Sequence, residues 1–218
     1  MIKVECFTWD YLDSNMYVLK NGSHLLVIDP IDKEDVLDYC RNADTITVIL
    51  THEHFDHICG LNKLRSMVPN KVKVIANKEC SERIGNPKLN MSVYADTLMA
   101  LAEKTVDKVL QPFSCAVADI IFSEGYSFDW LGEDVELIST PGHSPGSASI
   151  VMDNMLFSGD TLLVNSFMTR FPGGKTKLFK SKSVPVLQTL LNSVDFVYPG
   201  HGTIMTRETA KRALDINC

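Results

Sequence analysis

The chain has 218 residues, 45% of them hydrophobic and 22% charged, which suits one soluble domain spanning 1–218 and able to bury a core. A net charge of −6 argues against a nucleic-acid partner, because phosphate binding leaves a basic footprint. No apolar run approaches the roughly 20 residues that cross a bilayer, and the N-terminus reads as a strand rather than a secretory leader.

Met1 to Phe7 is expected to form the first strand. Asn15–Leu19 and His24–Ile28 flank Asn21-Gly22, a strong hairpin signal, and Asp29-Pro30 ends the hairpin. Lys33 to Arg41 places Val36, Leu37, Tyr39 and Cys40 on one helical face. Ile46-Thr47-Val48-Ile49-Leu50 is a β-branched run of the kind found in buried strands. A helix over Ile58 to Met67 and a strand over Val72 to Ile75 follow. Residues 77–128 are the least regular part and read as an insertion that overhangs a site. Within it a helix is expected from Tyr94 to Val109, punctuated by Gly85-Asn86-Pro87 before and Gln111-Pro112 after. Its Met91, Tyr94, Leu98 and Met99 line a pocket or pack the helix. The second half repeats the strand pattern at Val135–Ile138, Ser149–Met152, Met155–Phe157 and Phe196–Tyr198, with helices over Ser183 to Leu191 and Arg207 to Leu214.

Five of the six histidines fall in four short motifs: Thr51-His52-Glu53-His54-Phe55-Asp56-His57, Thr140-Pro141-Gly142-His143, Ser158-Gly159-Asp160-Thr161 and Pro199-Gly200-His201-Gly202. Only His24 lies elsewhere. Imidazoles and carboxylates in this number suit zinc or another borderline transition metal better than calcium or magnesium. Each motif follows directly on an apolar strand, so the ligands can converge at one edge of packed sheets. Two blocks of strands with helices between them predict a four-layer αββα sandwich.

In an extended segment His52 and His54 point the same way and can grip one ion, while Asp56 and His57, a turn further on, face a second. His143 lies in a Pro/Gly-flanked loop that permits close backbone approach. The two oxygens of Asp160 can bridge two ions, and His201 completes the second. Glu53, between the paired histidines, points away and is assigned a structural role. The six cysteines, Cys6, Cys40, Cys59, Cys80, Cys115 and Cys218, are scattered, which is neither a disulfide framework nor a thiolate cluster and fits a reduced, cytoplasmic setting. Cys59 is badly placed as a ligand and is expected to be a small buried residue.

The motifs resemble those of the metallo-β-lactamase superfamily over nearly the whole chain. The resemblance implies an αββα sandwich with a dinuclear centre: His52, His54 and His143 on one metal, Asp56, His57 and His201 on the other, and Asp160 bridging. It implies hydrolysis by a metal-bound hydroxide, with zinc the expected pair of ions and iron or manganese the alternatives; Asp56 and Asp160 would be the catalytic carboxylates. Leu156-Phe157-Ser158-Gly159-Asp160-Thr161-Leu162 and Arg170-Phe171-Pro172-Gly173-Gly174 look most like glyoxalase II-type hydrolases, which implies a small-molecule thioester as substrate. Arg170, with Lys175, Lys177 and Lys180, is a candidate for binding an acidic substrate group, or part of a solvated loop. A lactonase and a mononuclear-iron persulfide dioxygenase share the expected fold. A β-lactamase is less favoured without a leader, and a nuclease by the acidic charge. A non-catalytic metal-binding protein would be marked by a missing ligand, and none is missing.

Overall fold

The structure, a computed structural model, describes residues 2–102, 110–164, 169 and 172–217. Among the described residues, twelve strands form two six-stranded sheets. The chain opens with β1 (Val4–Thr8), β2 (Asn15–Asn21) and β3 (His24–Ile28), an antiparallel meander. After α1 (Glu34–Arg41) the β-branched strand β4 (Thr45–Ile49) pairs parallel to β3. The helix expected over 58–67 is split into α2 (Phe55–Ile58) and α3 (Leu61–Met67). The break falls at Gly60, where a Cβ would stand 2.2 Å from the Ile31 carbonyl oxygen, so the chain is pinned against the end of the hairpin there.

β5 (Val72–Asn77) pairs parallel to β4. The region that looks irregular in sequence then contributes α4 (Lys78–Arg83), a 3-10 turn over Ser92–Tyr94, α5 (Ala95–Leu101), β6 (Ile120–Phe122) and the start of β7 (Gly125–Trp130). β6 adds parallel to β5 and completes the first sheet, in order β1-β2-β3-β4-β5-β6. The expected Tyr94–Val109 helix is described only as far as Leu101–Ala102, and its residues 103–109 lie outside the described residues. β8 (Glu133–Ser139), β9 (Ala148–Met152) and β10 (Met155–Gly159) continue from β7 as an antiparallel meander. α6 (Thr176–Leu178), a π turn over Phe179–Ser183 and α7 (Val184–Leu190) lead to β11 (Phe196–Pro199), parallel to β10. β12 (Met205–Thr206) and α8 (Arg207–Asn217) close the second sheet, in order β12-β11-β10-β9-β8-β7.

Strand alternation sorts the apolar side chains into layers. Val18, Val27, Val48 and Val74 face outward from the first sheet and pack with Val36, Leu61 and Leu64 of the helices. Their neighbours Leu19, Leu26, Ile28, Ile49 and Ile75 face inward and meet Leu137, Ile150 and Phe157 of the second sheet. Leu156 and Val197 face outward from that sheet onto Leu187, Leu191 and Leu214. Three apolar interfaces separate four layers, which is the expected αββα sandwich. Among the described residues no helix is long and apolar enough to cross a membrane.

Candidate metal centre

The four motifs leave the strands at one edge of the sandwich. β4 ends at Ile49 just before Thr51–His57, β8 at Ser139 before Thr140–His143, β10 at Gly159 before Asp160, and β11 at Pro199 before His201. The first sheet thus supplies His52, His54, Asp56 and His57, and the second supplies His143, Asp160 and His201. All seven are brought together.

Two groups form. His52, His54 and His143 offer ligand atoms within 4.8 Å of one another, and so do Asp56, His57 and His201. In the first, His54 Nδ1 and His143 Nε2 are 2.9 Å apart. In the second, His201 Nε2 lies 3.3 Å from both His57 Nε2 and Asp56 Oδ2. Asp160 reaches both groups: Oδ2 is 3.6 Å from His143 Nε2 and 3.4 Å from His201 Nε2, and Oδ1 is 3.5 Å from His57 Nε2.

The hydrogen bonds around the imidazoles fix which nitrogen faces inward. Asp29 Oδ1 accepts from Thr51 N at 2.7 Å, and Oδ2 accepts from Thr51 Oγ1 at 2.5 Å and from His57 Nδ1 at 3.0 Å. With its proton given to Asp29, the Thr51 hydroxyl is left to accept from His52 Nδ1, 2.9 Å away. The Leu12 carbonyl accepts from His201 Nδ1 at 3.1 Å. His52, His57 and His201 therefore carry a proton on Nδ1 and turn Nε2 toward the cluster, the arrangement that prepares imidazole for a metal. Asp29 also falls within 4.8 Å of His52 and His57, but both its oxygens are already engaged, so it orients ligands rather than serving as one.

Two buried atoms test whether these residues fit metal ions. His52 Nε2 and Asp160 Oδ1 have no hydrogen-bond partner. Leaving such atoms buried and unpaired costs about 1–3 kcal/mol each, and both point to a missing electron-pair acceptor. The donor set of imidazole nitrogens and carboxylate oxygens fits borderline divalent metals.

The electrostatics divide along the same line. Burial and the surrounding imidazoles depress His52 well below its ordinary value, and burial with His143 lowers His54 to about 3. Burial acts against the charge on His57, yet Asp56, Asp160 and Asp29 raise it to about 9. Burial likewise opposes the charge on His201, but Asp160 and Asp56 raise it well above the ordinary value. Burial also disfavours the Asp56 carboxylate, and His57 and His201 overcome it, holding Asp56 at about 2. The all-histidine group stands ready as neutral donors; the second holds protons that a metal must displace.

Backbone approach is as tight as the side-chain packing. A Cβ on Gly200 would stand 2.1 Å from Asp160 Oδ1 and 2.9 Å from His57 Cε1, and one on Gly159 would meet Thr51 Oγ1 at 2.5 Å. The His201 loop is tied to β2: Asn15 Nδ2 donates to the carbonyls of Pro199 and Gly202, and Tyr17 OH donates to Pro199 O at 2.6 Å. Ser14 Oγ donates to the Asp56 carbonyl at 2.8 Å.

Glu53 turns away from the cluster as expected. It is buried, accepts from Ser144 Oγ at 2.8 Å and lies 3.8 Å from Arg83 Nε; burial raises it to about 7. Cys59 joins neither ligand group, and Cys6, Cys40, Cys59, Cys80 and Cys115 are free thiols. Arg170 lies outside the described residues, while Lys175, Lys177 and Lys180 are exposed. Above the cluster opens a cavity of roughly 370 Å³, lined on the polar side by His54, Asp56, His143, Asp160 and His201. Its other lining residues are Leu12, Phe55, Met91, Leu98, Leu101, Ala102 and Leu163. Met91 and Leu98 thus reach the cavity, whereas Met99 is buried in the core beside the first sheet and Tyr94 is exposed.

Sequence reasoning missed Asp29, Ser14, Asn15, Tyr17 and Ser144. For Asp29 a signal was present: it follows the apolar strand β3 directly, as the four ligand motifs follow theirs.

The chain belongs to the metallo-β-lactamase superfamily, whose family model matches residues 9–201. It is 27% identical over 171 residues to a hydroxyacylglutathione hydrolase of Aeromonas hydrophila, covering 78% of this chain and 54% of that protein. A probable metallo-hydrolase of Streptococcus pyogenes is 25% identical over 200 residues, 88% of this chain and 80% of the relative. The chain spans little more than half the length of the first hydroxyacylglutathione hydrolases it matches, 54% and 55%. Among solved structures, the BLEG-1 B3 metallo-β-lactamase superposes with a TM-score of 0.76 at 24% identity, covering 95% of each chain. ETHE1 from Myxococcus xanthus gives a TM-score of 0.67 at 21% identity, over 97% of this chain and 83% of the other. These two likenesses are of fold. Family, fold and the His/Asp clusters together make the chain a member of this superfamily with ligand groups that could hold metal ions.

Proposed function

We propose that the chain is a dinuclear metal-dependent hydrolase that cleaves a thioester into a carboxylic acid and a free thiol. The observation that carries the metal part is the pair of ligand groups joined by Asp160, with the buried His52 Nε2 and Asp160 Oδ1 left without a hydrogen-bond partner. The thioester part is supported by the 27% identity to a hydroxyacylglutathione hydrolase.

In this reading His52, His54 and His143 would hold one ion and Asp56, His57 and His201 the other, with Asp160, which reaches both groups, available to each. Zinc is the metal that the donor set favours, with iron and manganese as alternatives. Such a pair supplies Lewis acidity and a nucleophilic water at neutral pH. The chain's own residues do the rest. Asp29, Thr51 and the Leu12 carbonyl engage Nδ1 of His57, His52 and His201, so Nε2 is the nitrogen that each would offer to an ion. Asp56 lines the cavity; with Oδ2 turned to His57 and His201, its other oxygen would be the one to orient a water toward the substrate carbonyl. The apolar part of the cavity keeps bulk water from the carbonyl and strengthens the polar contacts that remain.

Thiol release from a panel of thioesters, charged S-lactoylglutathione and neutral N-acetylcysteamine esters among them, by protein reconstituted with zinc, manganese or iron, tests the reading. Turnover with about two metals per chain, lost together with metal in His54→Ala and Asp160→Ala, is the expected result. Two metals bound without cleavage of any thioester would overturn the thioester assignment and turn the search to lactones. A persulfide dioxygenase would bind one iron; the completeness of the Asp56, His57 and His201 group argues for two ions.

A further inference from the structure

The cavity above the ligand clusters has a chemical asymmetry that limits its occupant. Among its described lining residues, every charged or imidazole side chain belongs to the clusters themselves, and none is a lysine or arginine. The rest of the described wall is apolar: Leu12, Phe55, Met91, Leu98, Leu101, Ala102 and Leu163. Leu101 is 76% exposed, which leaves an apolar surface in water at the cavity mouth. A singly exposed leucine is ordinary, but one continuous with an apolar wall that ends on a catalytic cluster is a binding surface.

Met91 adds a second, independent sign. Its backbone sits at φ 67°, a left-handed conformation that a methionine adopts only when its surroundings impose it. The surroundings are visible. Asn90 is buried; its Oδ1 accepts from Ser92 N, its Nδ2 donates to the carbonyls of Ile84 and Phe113, and its own carbonyl accepts from Phe55 N. The buried amide clamps the turn, holds Met91 in the unfavourable conformation and ties it to Phe55, the next wall residue. A glycine would relieve the backbone but would leave the wall open.

From this we infer that the substrate of the proposed hydrolase carries an uncharged, apolar chain within a few bonds of the scissile carbonyl, and that Met91, Leu98 and Leu101 select for it. The inference rests on the thioester reading. The reaction is R–CO–S–R′ + H2O → R–COOH + R′–SH. The water oxygen bonds to the acyl carbon, the C–S bond breaks with its electron pair going to sulfur, and one water proton ends on the thiol. The apolar chain is R or R′, and the wall suits either. A glutathione thioester brings two carboxylates and an ammonium group, for which the described wall offers no partner.

The test uses the zinc-reconstituted protein and two series of small neutral thioesters. One varies the acyl chain from acetyl to decanoyl on N-acetylcysteamine; the other varies the thiol from ethyl to octyl on a fixed acetyl group. Each methylene that the wall covers is expected to raise kcat/KM about fourfold, in one series and not the other, which tells the sides apart. Leu101→Ser, at an exposed position, and Met91→Gly, compatible with the left-handed backbone, are expected to flatten that slope. Ile216→Ser, at a leucine-sized side chain 82% exposed on α8, is expected to leave it unchanged. Equilibrium binding of straight-chain carboxylates and alkyl thiols, from two carbons to ten, provides a readout that needs no turnover. Hydrolysis of thioesters with no chain-length dependence in either series, or a slope that both wall variants leave intact, would overturn the inference and leave the thioester reading standing. Absent hydrolysis, binding that tightens with chain length and weakens in both wall variants would sustain the apolar site and overturn the thioesterase. Binding indifferent to chain length would overturn both.

Discussion

Asp29 stands behind His57: its Oδ2 accepts from His57 Nδ1 at 3.0 Å, and the same carboxylate receives both the backbone N and the hydroxyl of Thr51. One buried side chain thereby sets the orientation of a donor in each ligand group, His57 directly and His52 through Thr51. Asp29→Asn preserves the shape and tolerates the φ of 55° at this position, but its amide cannot accept with both ends. Metal affinity is expected to fall about 10–100-fold, read by titration against a competing chelator. Unchanged affinity would show that the imidazoles hold their orientation without it.

Gly200 and Gly202 flank His201 and separate two kinds of constraint. A Cβ at Gly200 meets Asp160 Oδ1, whereas one at Gly202, with φ 80°, meets nothing within 4 Å. Gly200→Ala is expected to displace Asp160 or His57 and lose metal. Gly202→Ala should cost only about 1 kcal/mol of stability from its backbone and retain metal. Elemental analysis of the two variants after dialysis distinguishes them; equal metal content would contradict the packing at Gly200.

The protonation pattern gives metal-free protein a stability optimum. His54, at about 3 in the folded state against 6.5 ordinarily, refuses a proton that the unfolded chain binds, so stability climbs as pH rises from 3 to 6.5. Asp56, held at about 2 against 3.8, adds stability present above 3.8 and lost as pH falls through 2. His57, raised to about 9, keeps a proton that the unfolded chain sheds, so its contribution is full below 6.5 and lost as pH rises through 9. The Tm in chelator is therefore expected to peak near 6.5, with slopes of roughly 3–5 °C per pH unit for each proton involved. A monotonic profile from pH 4 to 9 would contradict this assignment of protons.

Glu53 separates support from ligation. Replacing it with Ala removes an acceptor from the buried Ser144 hydroxyl and the carboxylate near Arg83, at an expected cost of about 2 kcal/mol. Glu53→Gln keeps an acceptor for Ser144 and should cost less than about 1 kcal/mol. Denaturant midpoints measure both. Either variant is expected to bind metal as the parent does, and loss of metal in the Gln variant would instead make Glu53 part of the centre.

The ligand motifs could be read from sequence because metal chemistry restricts the residue types and strand ends place them. His52 and His201 are far apart in the chain, yet each follows an apolar run that can be recognised locally. The same holds for the layers, since β3 and β4 carry unbroken apolar stretches. β6 has three residues and becomes a strand only through β5, while β7 alternates with little burial; neither has a pattern strong enough to stand out. α4 buries only Cys80 and Ser81 and is marked mainly by the Asn77 cap, which accepts from Glu79 N. Ser14, Asn15 and Tyr17 gain their roles from partners 42 to 187 positions away, and polar residues in an N-terminal hairpin give no hint of such partners.

The division of donors between two sheets has a bearing on how the molecule is made. His57 and His201, 144 positions apart, must meet before the second group exists, and Asp160 joins the groups only once both sheets have docked. A ribosome that has not yet released residue 201 holds a chain with the first sheet complete and the second site unbuilt. Loading of both groups with metal would thus follow translation through residue 201, and ions held there would close loops long enough for their cross-linking to resist separation of the sheets.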